Sequence, residues 1–160
     1  MYHSFDKEVI TPQSLARIPF FQNLKMEYIE LLSEKINLCK LKEGTLIISE
    51  GDTTQKMYFI ISGIVNVYRR TYKGKDETIC TLSAPTYFGE MSIIDGGPRS
   101  ASVAAKTDVV LAELKWEDMR YLFDDKPEIM SYIFKNIAST LSLRLRRLNG
   151  LYSHQAHDLA

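Results

Sequence analysis

The spacing of hydrophobic positions changes twice along the chain, from a helical period to short strand-like runs and back again. Residues 12–37 carry apolar side chains three or four positions apart, which predicts helices. Residues 39–114 hold short runs rich in β-branched and aromatic residues, which predict strands. Residues 115–149 return to the helical spacing. We therefore expect helices, then a β segment, then two more helices.

The β segment consists of short predicted strands separated by turn signals such as Ser62-Gly63 and Lys73-Gly74. These strands cover residues 45–49, 57–62, 64–70, 77–82, 102–105 and 109–114. The run Tyr58-Phe59-Ile60-Ile61 is apolar on both faces and predicts a central strand, whereas the alternating run from Val65 to Arg69 predicts a strand nearer an edge. Many short strands at regular spacing are typical of an antiparallel sandwich or barrel. The predicted fold class is α+β, an antiparallel β jelly-roll sandwich with N-terminal helices and two C-terminal helices.

The two C-terminal helices are separated by Pro127, which stops the first and can begin the second. The second is expected to end at Asn149-Gly150, because glycine commonly follows the end of a helix. We predict one domain over residues 12–150, an extension over residues 1–11 and a flexible tail over residues 151–160.

Composition narrows the possible partners. The chain has 20 basic and 20 acidic residues, so no net field draws it to nucleic acid or to an anionic membrane. No run approaches the roughly 18 apolar residues of a membrane span, and the charged first ten residues do not resemble a secretory signal. Cys39 and Cys80 are isolated, which favours free thiols in a reducing compartment. We expect a cytoplasmic protein without a direct nucleic-acid or membrane partner.

Signals for catalysis and for metal binding are weak. The sequence contains no G-x-S-x-G motif, and its histidines lie near the chain ends. His154 and His157 have a metal-like spacing, but two ligands on a flexible tail seldom hold a metal. We predict no enzymatic activity, no metal and no cofactor.

The connection over residues 88–103 is much longer than the loop of about two to five residues in a plain hairpin. Gly89 allows the backbone to approach a ligand closely, and a helical turn after it would offer free N–H groups to an anion. Arg99 presents a fork of donors that suits phosphate oxygens, with the Ser100 hydroxyl beside it. Glu90 would repel a phosphate unless it accepted a hydrogen bond from another part of the ligand, such as a ribose hydroxyl. The segment therefore predicts a cradle for a phosphate and a sugar.

This segment resembles the phosphate-binding cassette of the cyclic nucleotide-binding domain family. That family includes the bacterial cyclic AMP receptor protein, the regulatory subunit of protein kinase A and cyclic nucleotide-gated channels. The resemblance rests on Phe88-Gly89-Glu90 and Pro98-Arg99-Ser100-Ala101 at the spacing of the family, and it extends over nearly the whole chain. It implies that Glu90 receives the ribose 2′-hydroxyl and that Arg99 pairs with the cyclic phosphate.

The resemblance also implies a wider ligand-binding set. Met91 falls where the family relays cassette movement to the helices, and Ser92 replaces the commoner alanine. The base is expected to lie against the sheet and under the last helix, which acts as a lid. The implied ligand-binding residues are Gly89, Glu90, Met91, Ser92, Arg99, Ser100 and Ala101 in the cassette, Val65 and Leu82 on the sheet, and Thr140 or Arg144 on the lid.

We therefore predict a regulatory module that binds a cyclic nucleotide, with cyclic AMP favoured over cyclic GMP. Occupancy would move the C-terminal helices against a protein partner or a second subunit. The apolar stripe of the last helix, which includes Phe134, Ile137 and Leu141, predicts core packing and is equally compatible with a homodimer contact. Arg144, Arg146 and Arg147 form a small basic cluster that is typical of a solvated helix end. The alternative function is a constitutive protein-interaction module whose cassette has lost its ligand.

Overall fold

The computed structural model describes residues 10–157, and the surroundings of side chains for residues 10–150. The helices are α1 (Pro12–Leu15), α2 (Met26–Ser33), α3 (Met91–Asp95), α4 (Trp116–Asp125) and α5 (Pro127–His157), with a 3-10 turn over Pro19–Phe21. The strands are β1 (Asn37–Leu41), β2 (Leu46–Ile48), β3 (Lys56–Ser62), β4 (Ile64–Arg70), β5 (Asp76–Ser83), β6 (Thr86–Phe88), β7 (Ser102–Ala105) and β8 (Val109–Lys115). The predicted order of helices, β segment and helices is confirmed.

The strands form two antiparallel four-stranded sheets, in the orders β1-β8-β3-β6 and β2-β7-β4-β5. The predicted antiparallel sandwich is confirmed, and β3 is central because it pairs with both β6 and β8. The prediction that β4 lies nearer an edge is wrong, since β4 pairs with both β5 and β7. Its alternation has another cause: Val65 and Val67 pack inside the sandwich, while Asn66 and Tyr68 occupy the opposite face.

Several predicted boundaries need correction. The sequence pattern does not predict β1 or the three-residue strand β6. The predicted helix end at Asn149-Gly150 is also wrong, because α5 continues to His157 and includes most of the predicted flexible tail. A glycine inside a helix costs only about 1 kcal/mol relative to alanine, and no proline follows it here to stop the helix. The rest of the predicted tail, residues 158–160, and residues 1–9 of the predicted extension lie outside the described residues.

Strand β3 separates two hydrophobic cores. Phe59 joins the core between the first sheet and the helices, whereas Tyr58 joins the core inside the sandwich. Tyr87 and Phe88 on β6 divide between the two cores in the same way, since successive strand residues point to opposite faces. The chain therefore leaves β6 where the two cores meet, immediately before Gly89.

Helix α5 packs on the helical core through three fully buried isoleucines, Ile129, Ile133 and Ile137. Two polar contacts also attach it to the N-terminal helices. The Tyr28 hydroxyl donates to Glu128 at 2.6 Å. The buried Asn136 amide donates to the carbonyl of Phe20 in the 3-10 turn at 2.9 Å and to that of Gln22 just after it at 2.7 Å. The first half of α5 is thus fixed to the body of the domain, and its position over the cassette follows from these contacts.

The described residues include both cysteines and all the helices named above, so they bear on the predictions about thiols, membrane spans and metal ligands. Cys39 and Cys80 are both free and half-buried, as predicted, and burial raises the pKa of Cys39 to about 12. Within residues 10–157, no helix has the length and apolar character needed to cross a membrane. The same part of the chain contains no cluster of three or more side chains that could hold a metal ion.

Candidate functional site

The side chain of Arg99 points into the protein and is only 4% exposed. Its Nη1 donates to the carbonyl of Gly89 at 3.0 Å and to Ser92 Oγ at 2.9 Å. Its Nη2 donates to the carbonyl of Lys56, at the start of β3, at 2.8 Å. These bonds hold the guanidinium between the cassette and the first sheet.

The same guanidinium keeps one edge available for a ligand. A guanidinium has five N–H groups, and the three bonds to protein use three of them. Nε is buried and has no partner among the described residues, while Nη2 has one of its two N–H groups engaged. Nε and Nη2 belong to one planar fork, which matches two oxygens of a phosphate. An unpaired buried donor is costly, so this edge favours an anionic acceptor.

The backbone and the ring beneath Arg99 fix its position further. The Arg99 N–H donates to the carbonyl of Asp52 at 2.7 Å, and the Gly51 N–H donates to the carbonyl of Arg99 at 2.9 Å. The guanidinium carbon lies 6.0 Å from the centroid of the Tyr58 ring, which stacks on Phe88 at 5.1 Å. Burial lowers the pKa of Arg99, but an arginine remains charged at any physiological pH.

Gly89 is required by its surroundings. Its φ of +89° lies in the left-handed region, and a Cβ there would lie 2.7 Å from the Lys56 carbonyl oxygen and 2.9 Å from Arg99 Nη1. The other end of the cassette is more open: Ser100 is exposed and its hydroxyl lies 3.5 Å from the sulfur of Met91, which is itself exposed. The glycine therefore belongs to the packed side of the loop, and Ser100 and Met91 belong to its surface.

Glu90 is 4% exposed and contacts α5, the predicted lid, directly. Arg144 Nη1 donates to Glu90 Oε1 at 2.7 Å, and Arg144 Nη2 donates to the Tyr87 carbonyl and, at 3.4 Å, to the Thr86 hydroxyl. The Arg144 guanidinium also lies 5.3 Å from the centroid of the Tyr87 ring. Burial raises the pKa of the Tyr87 hydroxyl, and Thr140, the second lid candidate, lowers it. The same hydroxyl donates to the Asn136 carbonyl on α5 at 3.5 Å. Both predicted lid positions thus meet the segment that begins the cassette, and the prediction that Arg144 belongs to a solvated helix end is wrong.

The sheet residues named for the base are less accessible. Val65 and Leu82 are paired across β4 and β5 and belong to the inner core, where Val65 is fully buried and Leu82 is partly exposed. Burial raises the pKa of the Cys80 thiol on β5. The charges of Arg144 and Glu90 also act on this pKa, in opposite directions. The structure brings together the cassette candidates and Arg144, but it gives a base no exposed surface at Val65. Ala101, the last cassette candidate, is half-buried.

Three residues of the site are not predicted from the sequence. Lys56 takes part through its carbonyl oxygen, which side-chain identity cannot reveal. Tyr58 and Tyr87 have the pattern of core residues, and only the three-dimensional position of each ring shows its arginine neighbour. The pairing of Tyr58 with the start of the cassette follows from the β3–β6 register, and β6 itself is not predicted.

Comparison with known proteins identifies the class. Residues 38–126 match the family model of the cyclic nucleotide-binding domain, and the chain belongs to this family. The predicted resemblance is therefore confirmed at the level of the family and the fold.

The relatives are regulators of different kinds. The CRP-like cAMP-activated global transcriptional regulator of Mycobacterium tuberculosis is 31% identical over 135 residues, which cover 84% of this chain and 58% of the relative. The human potassium/sodium hyperpolarization-activated cyclic nucleotide-gated channel 4 is 32% identical over 146 residues, which cover 91% of this chain and 12% of the channel. The crystal structure of the Thermus thermophilus catabolite activator protein has a TM-score of 0.71 and 31% identity, over 86% of this chain and 63% of that one. This chain spans less than two thirds of each of these three proteins.

Proposed function

We propose that this chain is a receptor that binds a cyclic nucleotide reversibly and signals its occupancy through α5. The observation that carries the proposal is the buried Nε of Arg99, which has no partner among the described residues. The two exocyclic oxygens of a cyclic phosphate share one negative charge, and either could accept from Nε, with the second N–H of Nη2 beside it. The preference for cyclic AMP over cyclic GMP is supported by relatives named as cAMP-activated and as a cyclic AMP receptor.

The contact between Glu90 and Arg144 provides the route from ligand to helix. A carboxylate has two oxygens and about four acceptor positions. The bond from Arg144 uses Glu90 Oε1, so Oε2 can accept a ribose 2′-hydroxyl without breaking the ion pair. A ligand bound in this way would touch both the cassette and, through Glu90, the lid helix. If the nucleotide binds more tightly when α5 lies against the cassette, it shifts the population towards that position of α5. The size of the shift is set by the difference in affinity between this position and one in which α5 has moved away. A protein partner or a second subunit would then detect the changed position of the helix.

A thermal-melt comparison tests the proposal. A nucleotide at about a hundredfold over its dissociation constant adds about 2.7 kcal/mol, which raises Tm by about 5 to 11 °C in a domain of this size. Arg99→Ala should remove this increment, whereas Arg120→Ala on the exposed face of α4 should keep it. Arg99→Ala also removes three hydrogen bonds to protein, so the quantity compared is the ligand-induced increment and not the apo Tm.

The alternative function is a constitutive protein-interaction module. It is favoured by the fact that Glu90 and Arg144 already satisfy one another in the structure. If neither cyclic AMP nor cyclic GMP raises the Tm of the wild type, this alternative replaces the receptor. An increment that Arg99→Ala leaves intact would contradict the assigned phosphate site.

A further inference from the structure

The hydroxyl of Ser92 closes a small hydrogen-bond ring at the base of the cassette. Ser92 is only 2% exposed, and its Oγ accepts from Arg99 Nη1 at 2.9 Å while it donates to the carbonyl of Gly89 at 3.3 Å. Nη1 also donates to the same carbonyl at 3.0 Å. The ring therefore links the first residue of the cassette, its helical turn and its arginine.

Ser92 differs from the other partners of Arg99 in one respect. The remaining acceptors of the guanidinium are the main-chain carbonyls of Gly89 and Lys56, which belong to the backbone and not to a side chain. Among the described residues, Ser92 is the one side chain that bonds to the guanidinium. A serine at position 92 therefore gives Arg99 a side-chain anchor that an alanine there would lack.

We propose that Ser92 is a positioning residue that orients Arg99 for the cyclic phosphate. This inference rests on the proposed function. Because Gly89 and Ser92 accept from Nη1 and Lys56 accepts from Nη2, the guanidinium is held with its Nε unpartnered. Without the hydroxyl, one Nη1 N–H would be buried and unpaired. The guanidinium would then turn to pair it, and the phosphate would have to restore the original orientation on binding.

Calorimetric titration of cyclic AMP into wild type and Ser92→Ala tests this role. We expect Ser92→Ala to bind about tenfold more weakly, which corresponds to about 1.4 kcal/mol. Ser33→Ala is the matched control, since Ser33 is a serine on α2 whose hydroxyl also donates to a backbone carbonyl, at 2.6 Å, but far from the cassette in the chain. Ser33→Ala should bind as the wild type does. Apo thermal melts of each variant establish that it is folded.

A second pair of variants distinguishes positioning from general support of the loop. If Ser92 acts through the second N–H of Nη1, its effect on affinity depends on the forked guanidinium of Arg99. Lysine has no such fork, so Ser92→Ala should change the affinity little in a protein that already carries Arg99→Lys. Between Arg99→Lys and Ser92→Ala/Arg99→Lys we expect a difference in affinity below about twofold. A tenfold loss in both backgrounds would overturn the positioning role, because Ser92 would then support the loop independently of Arg99.

The two proposals fail in different ways. Wild-type affinity in Ser92→Ala would overturn the role of Ser92 and leave the receptor intact. A wild type that binds neither cyclic AMP nor cyclic GMP would overturn the receptor and, with it, the role of Ser92.

Discussion

Replacing Arg144 by alanine isolates what the contact between α5 and the cassette contributes to folding. The substitution removes the ion pair with Glu90 at 2.7 Å and the bond to the Tyr87 carbonyl. It leaves a carboxylate whose side chain is only 5% exposed, while the side chain of Arg144 is 23% exposed. The pair therefore lies between a surface ion pair and a fully buried one.

The expected magnitude follows from this intermediate exposure. Breaking a buried pair costs about 3 to 5 kcal/mol, whereas a surface pair contributes about 1 kcal/mol or less. Water can reach the exposed part of Arg144 and, after its removal, part of Glu90. We therefore expect Arg144→Ala to lower the free energy of unfolding by about 2 kcal/mol, which lowers Tm by about 4 to 8 °C in a domain of this size.

Urea and thermal unfolding of the apo protein at pH 7 measure this effect. Arg146→Ala is the matched control, because Arg146 is an exposed arginine on the same helix and its replacement produces the same change in helix propensity. A double-mutant cycle with Glu90→Gln should give a coupling energy of about 1 kcal/mol or more. The reasoning is refuted if Arg144→Ala and Arg146→Ala unfold within about 0.5 kcal/mol of each other.

Further substitutions test other contacts. In urea unfolding, Gly89→Ala should lower the free energy of unfolding by about 3 kcal/mol, because it adds a close contact to a strained backbone. Gly96→Ala should lower it by about 1 kcal/mol, since Gly96 shares the positive φ but has open space around it. Equal costs would contradict this. Asn136→Ala should cost about 2 to 4 kcal/mol by leaving two carbonyls unpaired, and a loss below about 0.5 kcal/mol would refute it. The hydroxyl of Tyr28 lowers the pKa of Glu128 below its ordinary value of 4.5, so this bond stabilises the fold above that pH and is lost as the pH falls through the lowered value. Tyr28→Phe should therefore show a smaller acid-induced loss of stability than the wild type, and identical acid titrations would contradict the assignment.

The parts of the fold that could be predicted are those in which local pattern and tertiary environment agree. The run around Tyr58 is apolar on both faces and is central in its sheet, buried between two cores. Val65 and Val67 alternate with polar residues, as the residues of an edge strand commonly do. Alternation shows only which face of a strand is buried, and not how many neighbouring strands it pairs with. Asn149-Gly150 is a pair that commonly ends a helix, yet α5 continues through it. Glycine disfavours a helix interior by only about 1 kcal/mol relative to alanine, which a long helix can overcome.

The candidate site, like the fold, could be predicted from the sequence only in part. The roles of Glu90 and Arg99 are predictions from the motif, and the structure places both side chains in a buried, hydrogen-bonded setting. The carbonyl of Lys56 and the ring of Tyr58 could not be predicted, because they approach Arg99 across a strand register that the sequence does not specify. The direct bond from Arg144 to Glu90 required the position of α5, which depends on its buried isoleucines and its contacts with the N-terminal helices.

The central claim is that Nε of Arg99, which has no partner among the described residues, binds the phosphate of a cyclic nucleotide. The most direct measurement is the ¹H–¹⁵N spectrum of arginine Nε–H groups during titration with cyclic AMP, with the Arg99 signal assigned from its absence in Arg99→Lys. We expect this signal to move downfield and saturate with the ligand, as a donor that gains an anionic acceptor does. An Arg99 Nε–H signal that stays in place at saturating nucleotide would contradict the claim, whatever other resonances moved.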